Sequence, residues 1–300
     1  MSIRRMTRPR NQRPTDERRL GYDARQILGI EGRMVDPTDQ IKQLNPLWRA
    51  IFSGEHPELR RGRKIFRLMS PTARDRCRLC YAGFDGFSAP VMRAIGRAQW
   101  LRNPHFCEKC ESVLAHERGG AEIEIAMLYA DVRGSSQLAA GMRPAEFAAL
   151  MQRFFQTAIK IFTWTDAIVD KMVGDEVIGI YVPCLTGSDY RQRAVEAGLK
   201  LLRATGHADI AGPWLPIGVG VHSGITFMGS IGVEGGNYQF AALGEPMNFG
   251  ARLVSAAKEG EMVMSEAVWS DVSSEISAEP RSLELKGYTE PVRAYVARVQ

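Results

Sequence analysis

No apolar run in this 300-residue sequence approaches the roughly 18 residues that a membrane-crossing helix requires. The N-terminus carries charges where a signal peptide would need an apolar core, so a cytoplasmic protein is expected. A GxxxxGKS or GxxxxGKT loop is also missing, which removes the usual phosphate cradle of an ATPase. Only five histidines occur, and none clusters beside an acidic motif. Aromatic residues, at 8%, are too thinly interleaved with the basic ones to suggest a nucleic-acid face, so nucleic acid is not an expected partner. The formal charge of +5 argues little by itself, because much of the excess lies in the first third of the chain.

With 45% hydrophobic residues, the chain can bury one large domain and a smaller appendage. Residues 1–45 contain Arg4, Arg5, Arg8, Arg10, Arg13, Arg18 and Arg19 mixed with Pro9, Pro14, Asn11 and Gln12. Such a stretch cannot bury enough apolar surface to offset its ordering entropy, and a flexible basic arm is expected. Its functional alternative is an electrostatic contact with nucleic acid, anionic lipid or an acidic partner. Residues 46–120 begin with Leu47, Trp48, Ile51, Phe52, Leu59, Ile65, Phe66 and Leu68, which suggest short packed helices around a second basic cluster of Arg60, Arg61, Arg63 and Lys64.

Four of the five cysteines form two knuckles, Cys77-Arg-Leu-Cys80 and Cys107-Glu-Lys-Cys110. Two tight turns of this kind present four thiolates to one tetrahedral centre, which fits zinc first and an iron–sulfur cluster second. The alternative, unconnected thiols or disulfides, is disfavoured in a cytosolic protein. A short helix is expected over residues 91–100, between the knuckles. His105 is a possible substitute ligand, and Cys184 reads as an ordinary loop or core cysteine.

Residues 121–300 alternate strand and helix. A strand over Ile123–Val132 carries Asp131 near its end, before the turn-prone Arg133-Gly134-Ser135-Ser136. A hairpin over Ile168–Val182 breaks at Gly174-Asp175, with the acid at its tip. Two carboxylates without neighbouring His or Cys suit Mg²⁺ or Mn²⁺, although either acid alone also reads as a turn former. Pro144 followed by Phe147, Leu150, Met151, Phe154, Phe155, Ala158, Ile161 and Phe162 predicts a helix with one packing face. A second helix is expected over Tyr190–Ala204, followed by strands at 215–221 and 225–231. The result is an α+β layer arrangement with helices on one face of a sheet. His222, on an apolar strand, reads as a satisfied core histidine.

Five passages in order, ADVRGSSQLA, VDKMVGDEVIG, IGVGVHSGITFMGSIG, FAALGEPMNFGARL and LELKGYTEPVRAY, resemble the class III nucleotidyl cyclase catalytic domain over about residues 121–298. The knuckle pair ahead of them resembles an N-terminal module of some bacterial cyclases. The resemblance implies a ferredoxin-like palm and an adenylate cyclase, a lyase that converts ATP to 3′,5′-cyclic AMP and pyrophosphate. It implies two Mg²⁺ or Mn²⁺ ions per site at Asp131, Val132 and Asp175, and a ribose-orienting Asn248 with a transition-state Arg252. It implies base recognition by Lys171 and Gln239, with Lys286 as a candidate triphosphate contact. Adenylate cyclases usually carry an aspartate where this chain has Gln239, often with a threonine where it has Ala241, which keeps GTP open. A homodimer is implied, with each site shared between protomers and Gly218, Gly220, Gly224 and Gly229 in a hairpin that lets the second subunit approach. The alternatives are a cyclase-like regulatory protein that binds nucleotide without turnover, and a zinc-knuckle binder of nucleic acid.

Overall fold

The computed structural model describes residues 46–100, 106–116, 119–232 and 238–299. The basic arm and His105 lie outside the described residues. The described residues belong to one compact unit, Pro37–Gln300, so the cysteine-bearing segment packs with the sheet that follows it. Among them, no helix is long and apolar enough to cross a membrane.

A helical segment over 46–52 is followed by α1 (Pro57–Met69), α2 (Ala89–Ala94) and α3 (Glu108–His116). The helix expected over 91–100 is thus shorter and earlier, because Gly96 takes a left-handed φ of 71° that ends it. Strand β1 (Gly119–Val132) leads into α4 (Ser135–Gly141) and α5 (Pro144–Trp164). The hairpin β2 (Ile168–Val173) and β3 (Glu176–Tyr181) precedes α6 (Tyr190–Ala204) and the long β4 (Ile217–Gly232). Then come β5 (Tyr238–Leu243), α7 (Glu245–Ala256), β6 (Glu261–Ser265), α8 (Glu266–Val272), β7 (Glu279–Leu283) and β8 (Val292–Arg298). The sheet runs β2-β3-β1-β4-β6-β8-β7, and β5 pairs with the second half of β4.

Strand β1 is buried on both sides, and the period of two divides its side chains between two cores. Ala126, Leu128, Ala130 and Val132 join the α5 stripe of Met151, Phe154, Ala158 and Phe162, together with α6 and α8. Ile123, Ile125, Met127 and Tyr129 face the opposite way, into a core shared with Met247 and Val254 of α7 and with all four knuckle cysteines. Helices therefore cover both faces of the sheet, not one as the sequence pattern suggested. Each large apolar side chain so buried contributes roughly 1.5–3 kcal/mol, which makes the cysteine segment an integral wall of the domain.

The two strands expected at 215–221 and 225–231 are one continuous strand, β4, antiparallel to β1 along its length. Its glycines admit parts of the same chain. A Cβ on Gly220 would lie 2.5 Å from the backbone nitrogen of Val254, so the missing side chain lets α7 cross β4 closely. At Gly224 the occupant is Pro246, again of α7. The expectation that these gaps receive a second subunit is corrected accordingly.

His222 on β4 shares a hydrogen bond of 2.8 Å between Nδ1 and the Ser265 hydroxyl and packs on Phe249, with ring centroids 4.5 Å apart. Burial pushes its pKa down to about 4. Between the unfolded value of about 6.5 and that folded value, the unfolded chain binds the extra proton, so stability falls as the pH falls through this window. The loss has an upper bound of about 3 kcal/mol, reduced by the ring's partial exposure. His222→Gln should flatten the dependence of the urea midpoint on pH between 6.5 and 4; an unchanged slope would contradict this account.

Candidate functional site

Asp131 is the last residue but one of β1, directly opposite Glu176 across the β1–β3 ladder. Asp175 occupies the turn between β2 and β3, after Gly174 at a φ of 63°. The Val132 N–H donates to the Asp175 carbonyl at 3.3 Å, so the two acids sit on neighbouring chain ends. The guanidinium of Arg133 donates to the Asp131 carboxylate and, through Nη1, to the carbonyls of Val254 and Ala257, each at 3.3 Å. Burial and then the Asp175 charge push the Glu176 carboxyl up, with Arg133 and Lys171 acting in the opposite direction. Asp131, Asp175 and Glu176 thus belong to one corner of the sheet, with Arg133 paired to Asp131, and their carboxylates are oxygens of the kind a hard divalent cation takes.

A cleft of about 610 Å³ is lined in part by Tyr129, Lys171, Ile178, Met247 and Asn248 and, of these three acids, by Glu176. Lys171 reaches it through a backbone irregularity. Val169 pairs with Gly179, but Lys171 pairs with Ile178, leaving Asp170 as an extra residue in a bulge. Were Asp170 paired in regular register, Lys171 would oppose Val177, on the face of the α5 core; with Asp170 bulged out, Lys171 shares the cleft face with Ile178. Its ammonium lies 3.3 Å from the carboxylate of Asp170, whose pKa is raised by burial and lowered by Lys171.

Helix α7 starts with Pro246 in its first turn and buries Met247, Gly250, Leu253 and Val254. That stripe leaves Asn248 exposed at the cleft and Arg252 half-buried one turn later. The Tyr129 hydroxyl donates to the Met247 carbonyl at 2.8 Å, which ties the acid-bearing strand to the helix that carries Asn248. Lys171 and Asn248 share the cleft. Asp131, Asp175, Arg252 and Lys286 do not line it, Lys286 being exposed in the β7–β8 connection. Gln239 pairs with Ile231 in the β5–β4 ladder, and its side chain lies outside the described residues. Arg133, Glu176 and Tyr129 were not singled out as site residues from the sequence; the cross-strand register of Asp131 was the signal that would have found Glu176.

The knuckles form a second candidate site. The sulfurs of Cys77, Cys80, Cys107 and Cys110 lie within 4.8 Å of one another, and all four residues are buried. Tyr81, at a φ of 67°, turns the chain so that its N–H donates to the Cys77 carbonyl at 2.8 Å, while the Cys107 N–H points at the Cys77 sulfur at 3.4 Å. Arg97, which sequence reasoning passed over, directs Nη1 at Cys80, Cys107 and Cys110, at 3.1, 3.8 and 3.9 Å, and lies over the Phe66 ring. Hydrogen bonds from Cys110, Cys77 and Cys80 hold the Cys107 thiol well below its usual range, whereas burial pushes Cys77 up. One guanidinium cannot balance four thiolates, so full ionisation here calls for a metal cation.

The chain is 28% identical over 221 residues to an uncharacterized Mycobacterium tuberculosis protein, Rv1318c, covering 69% of this chain and 40% of that protein. A second M. tuberculosis protein, Rv1320c, is 27% identical over 222 residues, with 69% and 38% covered. The chain thus spans about two fifths of the length of these relatives. Among solved structures, the adenylyl cyclase CyaB from P. aeruginosa superposes with a TM-score of 0.54 at 22% identity, over 60% of this chain and 97% of that one. The guanylyl cyclase Cya2 does so with a TM-score of 0.55 at 23% identity, over 61% and 96%. These likenesses carry the fold. Residues 120–297 match the family described as the adenylate and guanylate cyclase catalytic domain. That match spans more than half of the chain and contains the paired acids, the bulged lysine strand and helix α7, so this protein belongs to the class III nucleotide cyclase family.

Proposed function

We propose that this protein is an adenylate cyclase that converts ATP to 3′,5′-cyclic AMP and pyrophosphate at a site shared by two copies of the chain. The observation that carries the reading is the cleft that Lys171, Asn248 and Glu176 line together, with Asp131 paired across the ladder from that Glu176 and Asp175 next to it in the hairpin turn. The ribose 3′-oxygen forms a bond to the α-phosphorus, the bond from that phosphorus to the bridging β-phosphate oxygen breaks, pyrophosphate leaves, and the hydroxyl proton passes to water. Asp131, the main chain at Val132, and Asp175 offer the hard oxygens that would hold Mg²⁺ or Mn²⁺, which supply charge neutralisation and acidify the ribose hydroxyl.

The chain's own residues supply the rest. Asn248 orients the ribose, and Arg252 meets the charge that develops on the α-phosphate. Lys171 donates to the acceptor N1 of adenine, a contact that the N1–H of guanine would oppose. Gln239 is assigned to the base's exocyclic group and Lys286 to the triphosphate. Lys171→Ala should lower kcat/KM for ATP by about 10–100-fold and leave GTP turnover little changed. A wild-type protein that prefers GTP, or a variant with an unaltered ATP-to-GTP ratio, would move the assignment to a guanylate or relaxed cyclase.

For the knuckles, zinc is the proposed occupant. A tetrahedral zinc with Zn–S bonds of about 2.3 Å separates its sulfurs by about 3.8 Å. The Cys80 and Cys107 sulfurs are 3.8 Å apart. A cluster of several irons would hold its ligand sulfurs farther apart than the spread found here.

A further inference from the structure

A second cleft, of about 920 Å³, lies where the cysteine segment meets the C-terminal end of α5. Arg67, Arg74, Arg76 and Arg78 line it from one side and Lys160 and Trp164 from the other, with Asp75 as its only acid among the described residues. Two of the cations are already engaged: Arg76 donates to the carbonyls of Ala73, Ser70 and Tyr81, and Arg78 pairs with Asp166 at 2.7 Å. Arg67, Arg74 and Lys160 make no ion pair among the described residues and are exposed. The end of α5 contributes only about half a negative charge, too little to balance them. A concave site with this excess of guanidinium and ammonium groups matches a phosphate-bearing anion.

The ligand's other half is indicated by Trp164. Its indole lines the same cleft yet is 64% exposed, unusual for so large an apolar side chain, and the Lys200 ammonium stands over the ring at 3.3 Å. An exposed indole beside unpaired cations provides a stacking surface next to a phosphate site. The volume lies within the range of small-molecule pockets. The cleft shares no lining residue with the one that Lys171 and Asn248 line. It adjoins the start of β2, whereas Asp175 follows its end, about six residues of strand or roughly 20 Å away.

We propose that this cleft is a separate nucleotide site, with phosphate held by Arg67, Arg74 and Lys160 and the base resting against Trp164. Because Arg67 and Arg74 belong to the cysteine segment and Lys160 and Trp164 to α5, a bound nucleotide bridges the two. The proposal does not depend on the cyclase reading.

Calorimetric titration of the full chain with AMP, and separately with inorganic tripolyphosphate, tests it. Wild type should show a site that the Arg67→Ala/Arg74→Ala/Lys160→Ala variant binds at least tenfold more weakly, with each variant's fold checked by circular dichroism and the reaction with ATP unaltered. Trp164→Ala should weaken AMP several-fold and leave tripolyphosphate unaffected. A folded triple variant that keeps wild-type affinity and stoichiometry for both probes would overturn the site. If Trp164→Ala leaves AMP binding intact, the nucleotide assignment is overturned and the cleft is a site for phosphate alone.

Discussion

Asp175→Ala should reduce nucleotide cyclisation at least about a thousandfold, and mixing it with equally inactive Arg252→Ala should restore about a quarter of the wild-type rate. The loss follows from removing a hard oxygen where the phosphates need their charge neutralised. It should leave the fold intact, because Asp175 contributes to the β1–β3 junction through its main-chain carbonyl, not its carboxylate. The recovery follows from symmetry. Random pairing of two variants makes half of the dimers mixed, and each mixed dimer has one of its two sites complete. Heterodimers that form but show no activity would contradict the shared site.

Cys107→Ser should abolish binding of one zinc per chain and lower the melting temperature by about 10 °C. Cys107 is fully buried at the centre of the thiol group, in the same core as Ile125, Met127 and Tyr129 of β1 and Met247 of α7. Loss of the metal leaves buried thiols without their counter-charge and loosens the helical segment that packs Trp48 and Phe52 into the same core. A loss of about 3–5 kcal/mol corresponds to about 10 °C in a domain of this size. Because that core contacts the strand bearing Asp131, turnover should fall with zinc content. A brown protein, or a Cys107→Ser variant that melts with wild type, would contradict the structural-zinc reading.

The parts of this fold that were legible in the sequence are those governed by local periodicity. Helix α5 has Pro144 at its first position and an apolar stripe at helical spacing, and the structure begins it there. The β2–β3 hairpin was legible because Gly174-Asp175 interrupts two apolar runs. What was not legible depends on contacts between distant residues. Gly220 looks like a gap open to anything, and only the crossing of α7 reveals what fills it. Strand β4 reads as two strands because its glycines resemble turn residues, yet continuous pairing with β1 holds it extended.

At the candidate site the same division holds. Asp131, Asp175, Lys171 and Asn248 stood out because of their motifs, but the reason Lys171 faces the cleft is a one-residue bulge that spacing alone does not disclose. Arg133 looked like part of a turn; in the fold it joins Asp131 to the end of α7. Arg97 is ordinary in sequence and becomes the charged neighbour of three sulfurs only once its loop folds over them.

The most direct measurement is product analysis of the purified full chain incubated with ATP and Mn²⁺. The account predicts 3′,5′-cyclic AMP and pyrophosphate in equal amounts, both lost in Asp131→Ala. Binding of ATP by a folded protein that yields neither a cyclic nucleotide nor pyrophosphate, from ATP or from GTP, would contradict it.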